Sequence, residues 1–434
     1  MTGSAPEQAP QDRSRVRKPD QVRGSGRLAR LGVVAALASR VFGRVVGVLF
    51  TFVLARTSPD ATVAGYGYLL GTSSLILTIS DLGVAAVSGR EVARRRWTAS
   101  AALAAALPIQ GVTILGACAV MAGLVVVAKP VGVDTMSLVF TLAFMAANGL
   151  VNLWAELIRA DGHVVAEAIL QAVSPVLLVS AGVVVAMRGG TTADLLAVVA
   201  GKELVILLAS LVILRPRRRR GMIRARELIS SSFTLSVAST AIVLMWRQGA
   251  MLTGSHATEA VAAAYIVATR FQDAGATLSS TVGFGLLPGF AAAYEESRAA
   301  FNSLVWRYLG RCVAVGLVAG GVGATFADPI TLVAFGPRWA AAAPAVRVVA
   351  LTAPAIMVVY VIWTALLVTH HERWMLWSAV AASVASIAAT SYGIAVGAPL
   401  LGATLGTALG VHLLVVLLLL RLVPIIRYRP RHGR

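Results

Sequence analysis

Charge is scarce in this chain, and acidic charge scarcer still: of 434 residues only 13% are charged, with 19 Asp and Glu against 38 Lys and Arg. A soluble domain carries about 25% charged residues, and needs them to cover its surface. An ordinary cytosolic enzyme is therefore excluded. Cysteine is nearly absent, and the two present, Cys118 and Cys312, lie inside apolar runs. Neither disulfide nor metal spacing is available to them, and both read as small packing residues. The six histidines lack ligand spacing as well, with His370 and His371 falling in one polar turn. There is no P-loop, no nucleophile elbow and no zinc motif. Direct ATP use, a bound cofactor and enzymatic catalysis are accordingly not expected.

What the chain has instead is apolar surface: 58% of residues belong to the hydrophobic set, with 40 glycines besides, and the mean hydropathy is +0.80. Residues 1–27 are polar, proline-containing and basic, and read as a disordered cytoplasmic tail. The run Leu31 to Leu54 is about twice as long as a signal-peptide core and lacks a small-residue cleavage site, so it reads as a retained span. Twelve such runs follow one another, at 31–54, 63–88, 99–127, 135–157, 164–187, 193–214, 228–253, 258–292, 302–327, 345–369, 374–396 and 400–423. Each is long enough to cross a hydrocarbon core of about 30 Å. No connection leaves room for a folded soluble domain.

The excess of +19 is distributed by topology. The tail, Arg90 to Arg96, Arg215 to Arg226, His370 to Arg373 and Arg427 to Arg434 all fall on one side of a twelve-span chain. That side holds about 25 Lys and Arg, and the other about four, Arg56, Lys129, Arg188 and Arg338, which is the positive-inside asymmetry. Both termini are expected in the cytoplasm, in a bacterial inner membrane. The same distribution argues against nucleic acid as a partner.

The basic loop stands at the midpoint, giving an N-terminal six-helix bundle (28–214), a linker (215–227), a C-terminal six-helix bundle (228–423) and a short tail (424–434). Ser80-Asp81-Leu82-Gly83 with Gly89 lies opposite Ser280-Thr281-Val282-Gly283 with Gly289, each in the second span of its half. Leu153-Trp154 with Leu157 likewise matches Ile362-Trp363 with Leu366 in the fourth spans. With an even number of spans per half, this is a parallel repeat about the membrane normal. Gly402, Gly406 and Gly410 form a GxxxGxxxG stripe for close helix packing.

Ionisable residues inside the spans carry the functional information, because each costs about 2.5–3.5 kcal/mol or more unless it meets water or a partner. Arg40 and Arg44 are four apart and share one face of the first span, whose run contains no acidic residue. Arginine suits phosphate, since its planar fork donates parallel hydrogen bonds and it stays charged when desolvated. A cavity for an anion is the favoured reading, an inter-helix ion pair the competing one. Arg270 lies about a dozen residues into the eighth span, free for the same cavity or paired with Asp273 one turn on. Arg247 in the seventh span lines the cavity or snorkels outward. Pro288 invites a kink or hinge in the eighth span. Asp81, Asp273 and Glu156 are the carboxylates available for ion coupling.

Three segments resemble the bacterial polysaccharide exporters, the oligosaccharide-lipid flippases of the multidrug/oligosaccharidyl-lipid/polysaccharide (MOP) superfamily. They are Ser80-Asp81-Leu82-Gly83 running into Arg90-Glu91-Val92-Ala93, the loop from Asp328-Pro329-Ile330 through Phe335-Gly336 to Ala343-Pro344, and the fourth span ending in Asp161-Gly162-His163. The resemblance implies an all-α MATE-like fold of two six-helix bundles around a cavity opening to either side in turn. It implies an undecaprenyl-diphosphate-linked oligosaccharide as cargo, moved from the inner to the outer leaflet, with membrane lipids and the glycosyltransferases or polymerase of the same pathway as partners. It also implies that Arg40, Arg44 and Arg270 line the cavity, as arginines of the first and eighth helices do in related lipid II flippases. The first span lacks the coupling carboxylate expected of many drug exporters in the superfamily, which favours an anionic cargo. A MATE-like or major-facilitator exporter of drugs or solutes stays open, as does a membrane glycosyltransferase or polymerase.

Overall fold

The computed structural model describes residues 38–214, apart from Arg40 and Arg44, and residues 233–427. The basic tail 1–27 and the linker 215–227 lie outside the described residues. The N-terminal half contains α1 (38–57), α2 (Asp60–Asp81), α3 (Val84–Ala93), α4 (Ala99–Ala128), α5 (Thr135–Ala160), α6 (Val164–Met187) and α7 (Thr192–Ile213). The C-terminal half contains α8 (Phe233–His256), α9 (Glu259–Glu296), α10 (Arg298–Thr325), α11 (Ala327–Phe335), α12 (Ala343–Leu351), α13 (Ala353–Val368), α14 (Glu372–Ala395) and α15 (Pro399–Arg427). Among the described residues ten stretches are long and apolar enough to cross a membrane. With α1 and α8 they make the twelve crossings read from the sequence. Helix is the form such a chain must take, because lipid offers no partner to an open backbone N–H or C=O.

Two expected spans are composite. The second is broken at Leu82 and Gly83, both at positive φ (49° and 74°), so α2 and α3 are separate helices with Asp81 at the break. The tenth is assembled from a 3-10 turn (Pro337–Ala342), α12 and α13. The eighth, by contrast, is a single 38-residue helix that runs unbroken through Pro288, so any hinge at that proline does not interrupt the helix.

Each half has a central helix. α5 packs on α3, α4, α6 and α7, and α13 packs on α9, α10, α14 and α15. Trp154 of α5 and Trp363 of α13, the matched tryptophans, are both buried. The GxxxGxxxG stripe does what its spacing implies: Gly402 and Gly406 face Gly393 and Thr390 of α14, and a Cβ on either glycine would fall within 3 Å of its neighbour. Helix ends are fixed locally, as where the Asp134 side chain accepts from the Ser137 N–H and Ser137 Oγ accepts from the Asp134 N–H. Such a capping box satisfies donors that a helix start leaves open.

One buried cluster belongs to the N-terminal half alone, two belong to the C-terminal half, and a fourth joins the halves. The joint lies at the end away from the termini. There Trp339 Nε1 donates to the Ala55 carbonyl at 2.8 Å, and Arg338 donates to the carbonyls of Ala55 and Ser58. Arg56 donates back to the Val333 carbonyl, and the Val131 N–H to the Gly254 carbonyl at 3.3 Å. Phe52 stacks edge-on to Phe335, with ring centres 4.9 Å apart. These hydrogen bonds between the halves all lie at that one end.

Candidate functional site

Between the halves lies a cavity of about 640 Å³, walled by α1, α2, α5, α6 and α7 on one side and by α8 and α9 on the other. Its chemistry is polar and charged although it sits in the middle of apolar helices. On the C-terminal wall Arg247 of α8 donates through one guanidinium nitrogen to both Asp273 oxygens, at 3.0 and 3.1 Å. Arg270 reaches the same carboxylate at 3.4 Å. Three charges from two helices therefore converge, because positions 270 and 273 lie one turn apart on α9 and residue 247 faces them from α8. Two guanidiniums share one carboxylate, which leaves this trio of described residues with a positive excess. Arg270 Nε is buried and has no hydrogen-bond partner among the described residues.

The open question over Arg270 is thus answered in a form the sequence did not suggest. It is paired with Asp273, but it shares that carboxylate with Arg247. Arg247 lines the cavity and does not snorkel outward. Above the trio the Tyr66 and Tyr265 side chains are buried, and Tyr265 Oη lies 3.3 Å from Thr407 Oγ1. Behind it Gln248 Nε2 faces three hydroxyls, Ser386, Thr390 and Thr407, at 3.0 to 3.2 Å. This cluster ties α8 to α14 and α15 and makes the C-terminal wall rigid.

Arg40 and Arg44 lie outside the described residues. Ser39 and Gly43, which directly precede them, line the cavity. The opposite face of α1, Val41, Val45, Val48 and Leu49, borders a separate apolar slot of about 480 Å³ against α9, α10, α12 and α13. Thr277 lines both spaces. Asp81 ends α2 near the backbone of Gly83 and Ala85 and the Gln110 side chain. Glu156 is bound by Arg159 at 3.2 Å, and Arg159 also holds Glu167 at 3.1 Å. Asp81 and Glu156 are not among the residues that wall the cavity.

The sequence reading missed two residues of the N-terminal wall, Lys202 and Glu203 of α7. Lys202 Nζ donates to Glu203 Oε1 and, at 3.2 Å, to Ser174 Oγ. Asn148 of α5 donates to the same Glu203 oxygen at 3.2 Å. The signal was available: of the lysines at 18, 129 and 202, the last alone lies inside an apolar span.

No family profile matches the chain, and no curated protein matches it. Solved structures do. An inward-facing multidrug-resistance MATE transporter of the MOP superfamily aligns with a TM-score of 0.69 over 91% of this chain and 98% of its own, at 13% identity. The lipid II flippase MurJ in an inward closed conformation aligns with 0.67 over 90% and 87%, also at 13% identity. A MOP superfamily transporter from Pyrococcus furiosus, described by its reverse polarity of binding pocket, aligns with 0.66 over 92% and 96% at 11% identity. The chain has the all-helical MATE/MOP fold, with about twelve helices in two bundles.

Proposed function

We propose that this chain is a MOP-type transporter that moves an undecaprenyl-diphosphate-linked oligosaccharide from the inner to the outer leaflet by alternating access. One observation carries the reading: two arginines share a single carboxylate on the wall of a mid-membrane cavity between two bundles. A positive excess held where charge is expensive needs a compensating anion, and a forked guanidinium matches a diphosphate. Arg270, Arg247 and, on α1, Arg40 and Arg44 are the diphosphate ligands in this reading. The hydroxyls of Ser74, Ser280 and Tyr66 on the same walls suit a sugar. The joint at the end away from the termini favours a state open toward the termini, which the positive-inside asymmetry assigns to the cytoplasm of a bacterial inner membrane. Enzymes of the same polysaccharide pathway, glycosyltransferases or a polymerase, are its natural partners.

A second reading, drug or solute export, is favoured by the MATE structures, which align as well as the flippase does. Cationic drugs fit poorly against the C-terminal wall, so the two readings part cleanly. Purified chain is reconstituted into vesicles with a labelled lipid-diphosphate sugar, and exposure of the sugar on the far leaflet is followed. The flippase reading expects exposure within the life of the assay, lost on Arg44→Ala or Arg270→Ala with folding and insertion intact. Absence of flipping by the unaltered chain, together with efflux of a cationic dye, would establish the second reading instead.

A further inference from the structure

Lys202 and Glu203 are neighbours in sequence, and neighbours on a helix do not face each other. They meet here because both side chains turn toward the cavity, where they are 12% and 6% exposed. The pair stands across the cavity from Arg247 and Arg270, and its balance differs from theirs. Asp273 is held by two cations, whereas Glu203 has one ammonium and the neutral Asn148 amide.

Glu203 also opens onto a second space. A passage of about 80 Å³ runs from it between α5, α6 and α7 toward the terminal end, past Asn148, Asn152, Ser174 and Ser210 to Glu167. That is room for several waters at roughly 10–15 Å³ each. At its end Glu167 is 1% exposed, with one oxygen bound by Arg159 and the other, Oε2, without a hydrogen-bond partner among the described residues. Polar side chains therefore line a route from the cavity wall to the tail-side ion pair.

An oxyanion entering the cavity competes with Glu203 for Lys202. If Lys202 turns to the anion, Glu203 is left as a buried carboxylate without its cation, which is costly unless the charge is removed. We infer that Lys202 and Glu203 form an anion–proton co-binding site: an oxyanion of the phosphate or sulfate class takes the ammonium, and Glu203 takes up one proton along the passage past Glu167. The step balances. A hydrogen bond from Lys202 Nζ to Glu203 is exchanged for one to the anion, a proton from water bonds to a Glu203 oxygen, and both revert when the anion leaves. By linkage, anion affinity rises as pH falls. The other charged and titratable groups around the pair are Glu167 in the passage, bound by Arg159, which also binds Glu156; Tyr66 from α2; and Arg247, Arg270 and Tyr265 across the cavity, with Asp273 bound by the two arginines.

This site rests on the proposed anion cavity, and the experiment separates the two. The purified full chain is titrated calorimetrically with inorganic sulfate, whose charge is constant across the neutral range, in two buffers of different ionisation enthalpy. The expected result is uptake of about one proton per sulfate, with affinity rising up to about tenfold per pH unit lowered. Glu203→Gln should bind sulfate with no proton uptake and a flat pH profile. Lys202→Met/Glu203→Gln, which leaves no lone buried charge, should bind about tenfold more weakly, equally flat. Lys202→Arg should keep the proton uptake, which excludes a merely structural loss. Sulfate binding without proton uptake, or E203Q with the unaltered proton count, overturns the co-binding site and leaves the anion cavity standing. Failure of the unaltered chain to bind sulfate at all overturns both.

Discussion

The two walls of the cavity solve the problem of charge in a membrane differently. The C-terminal wall gathers Arg247, Arg270 and Asp273 from two helices and keeps a positive excess. The N-terminal wall pairs Lys202 with Glu203 on one helix, so that this pair is neutral. A wall in excess attracts an anion at any pH. A balanced pair binds one only by giving something up. The difference teaches that counting intramembrane cations overstates what a cavity offers, since each must be counted with the carboxylate that holds it.

The sharpest way to break the comparison is to remove the excess. Arg247→Ala/Arg270→Ala should lower transport in reconstituted vesicles by more than about a hundredfold, two charge-assisted hydrogen-bonding groups being lost at once. Adding Asp273→Asn, so that no lone carboxylate is left buried, should keep circular dichroism and elution volume as in the unaltered chain. Asp273→Asn acts in the opposite sense, releasing both guanidiniums, and should tighten sulfate binding by about tenfold in titration calorimetry. Ser174→Ala takes from Lys202 a competing partner, worth about 1 kcal/mol, and should tighten sulfate binding a few-fold while leaving the Arg247 trio untouched. The smallest effect belongs to neither wall: Asp134→Ala removes the α5 capping box at a cost of about 1 kcal/mol. It should lower the thermal midpoint slightly with sulfate affinity unchanged.

The twelve crossings were legible in the sequence because length and apolarity decide them in lipid, with no competing structure to choose. The matched tryptophans and the glycine stripe were legible for the same reason, since buried small and large residues at fixed spacing have few uses. The break at Leu82 and Gly83 was not, because hydropathy continues across it and only backbone dihedrals record it. Arg247 and Asp273 are 26 residues apart and meet only through the packing of α8 on α9, which no local spacing encodes. Lys202 was overlooked for another cause. Its charge is cancelled by the very next residue, and that pairing follows from both side chains turning to the cavity, which spacing along a helix does not encode.

The joint between the halves has a consequence for how such a protein changes over time. Arg338, Trp339 and Arg56 donate to main-chain carbonyls of Ala55, Ser58 and Val333. A carbonyl is present whatever the side chain, so these hydrogen bonds ask nothing of side-chain identity at the accepting positions, although Ala55 and Ser58 are buried and limited in size. Pairs of co-varying residues would therefore fail to reveal these hydrogen bonds, and the record of the joint falls to side-chain contacts such as Phe52 with Phe335 and Arg338 with Asp60.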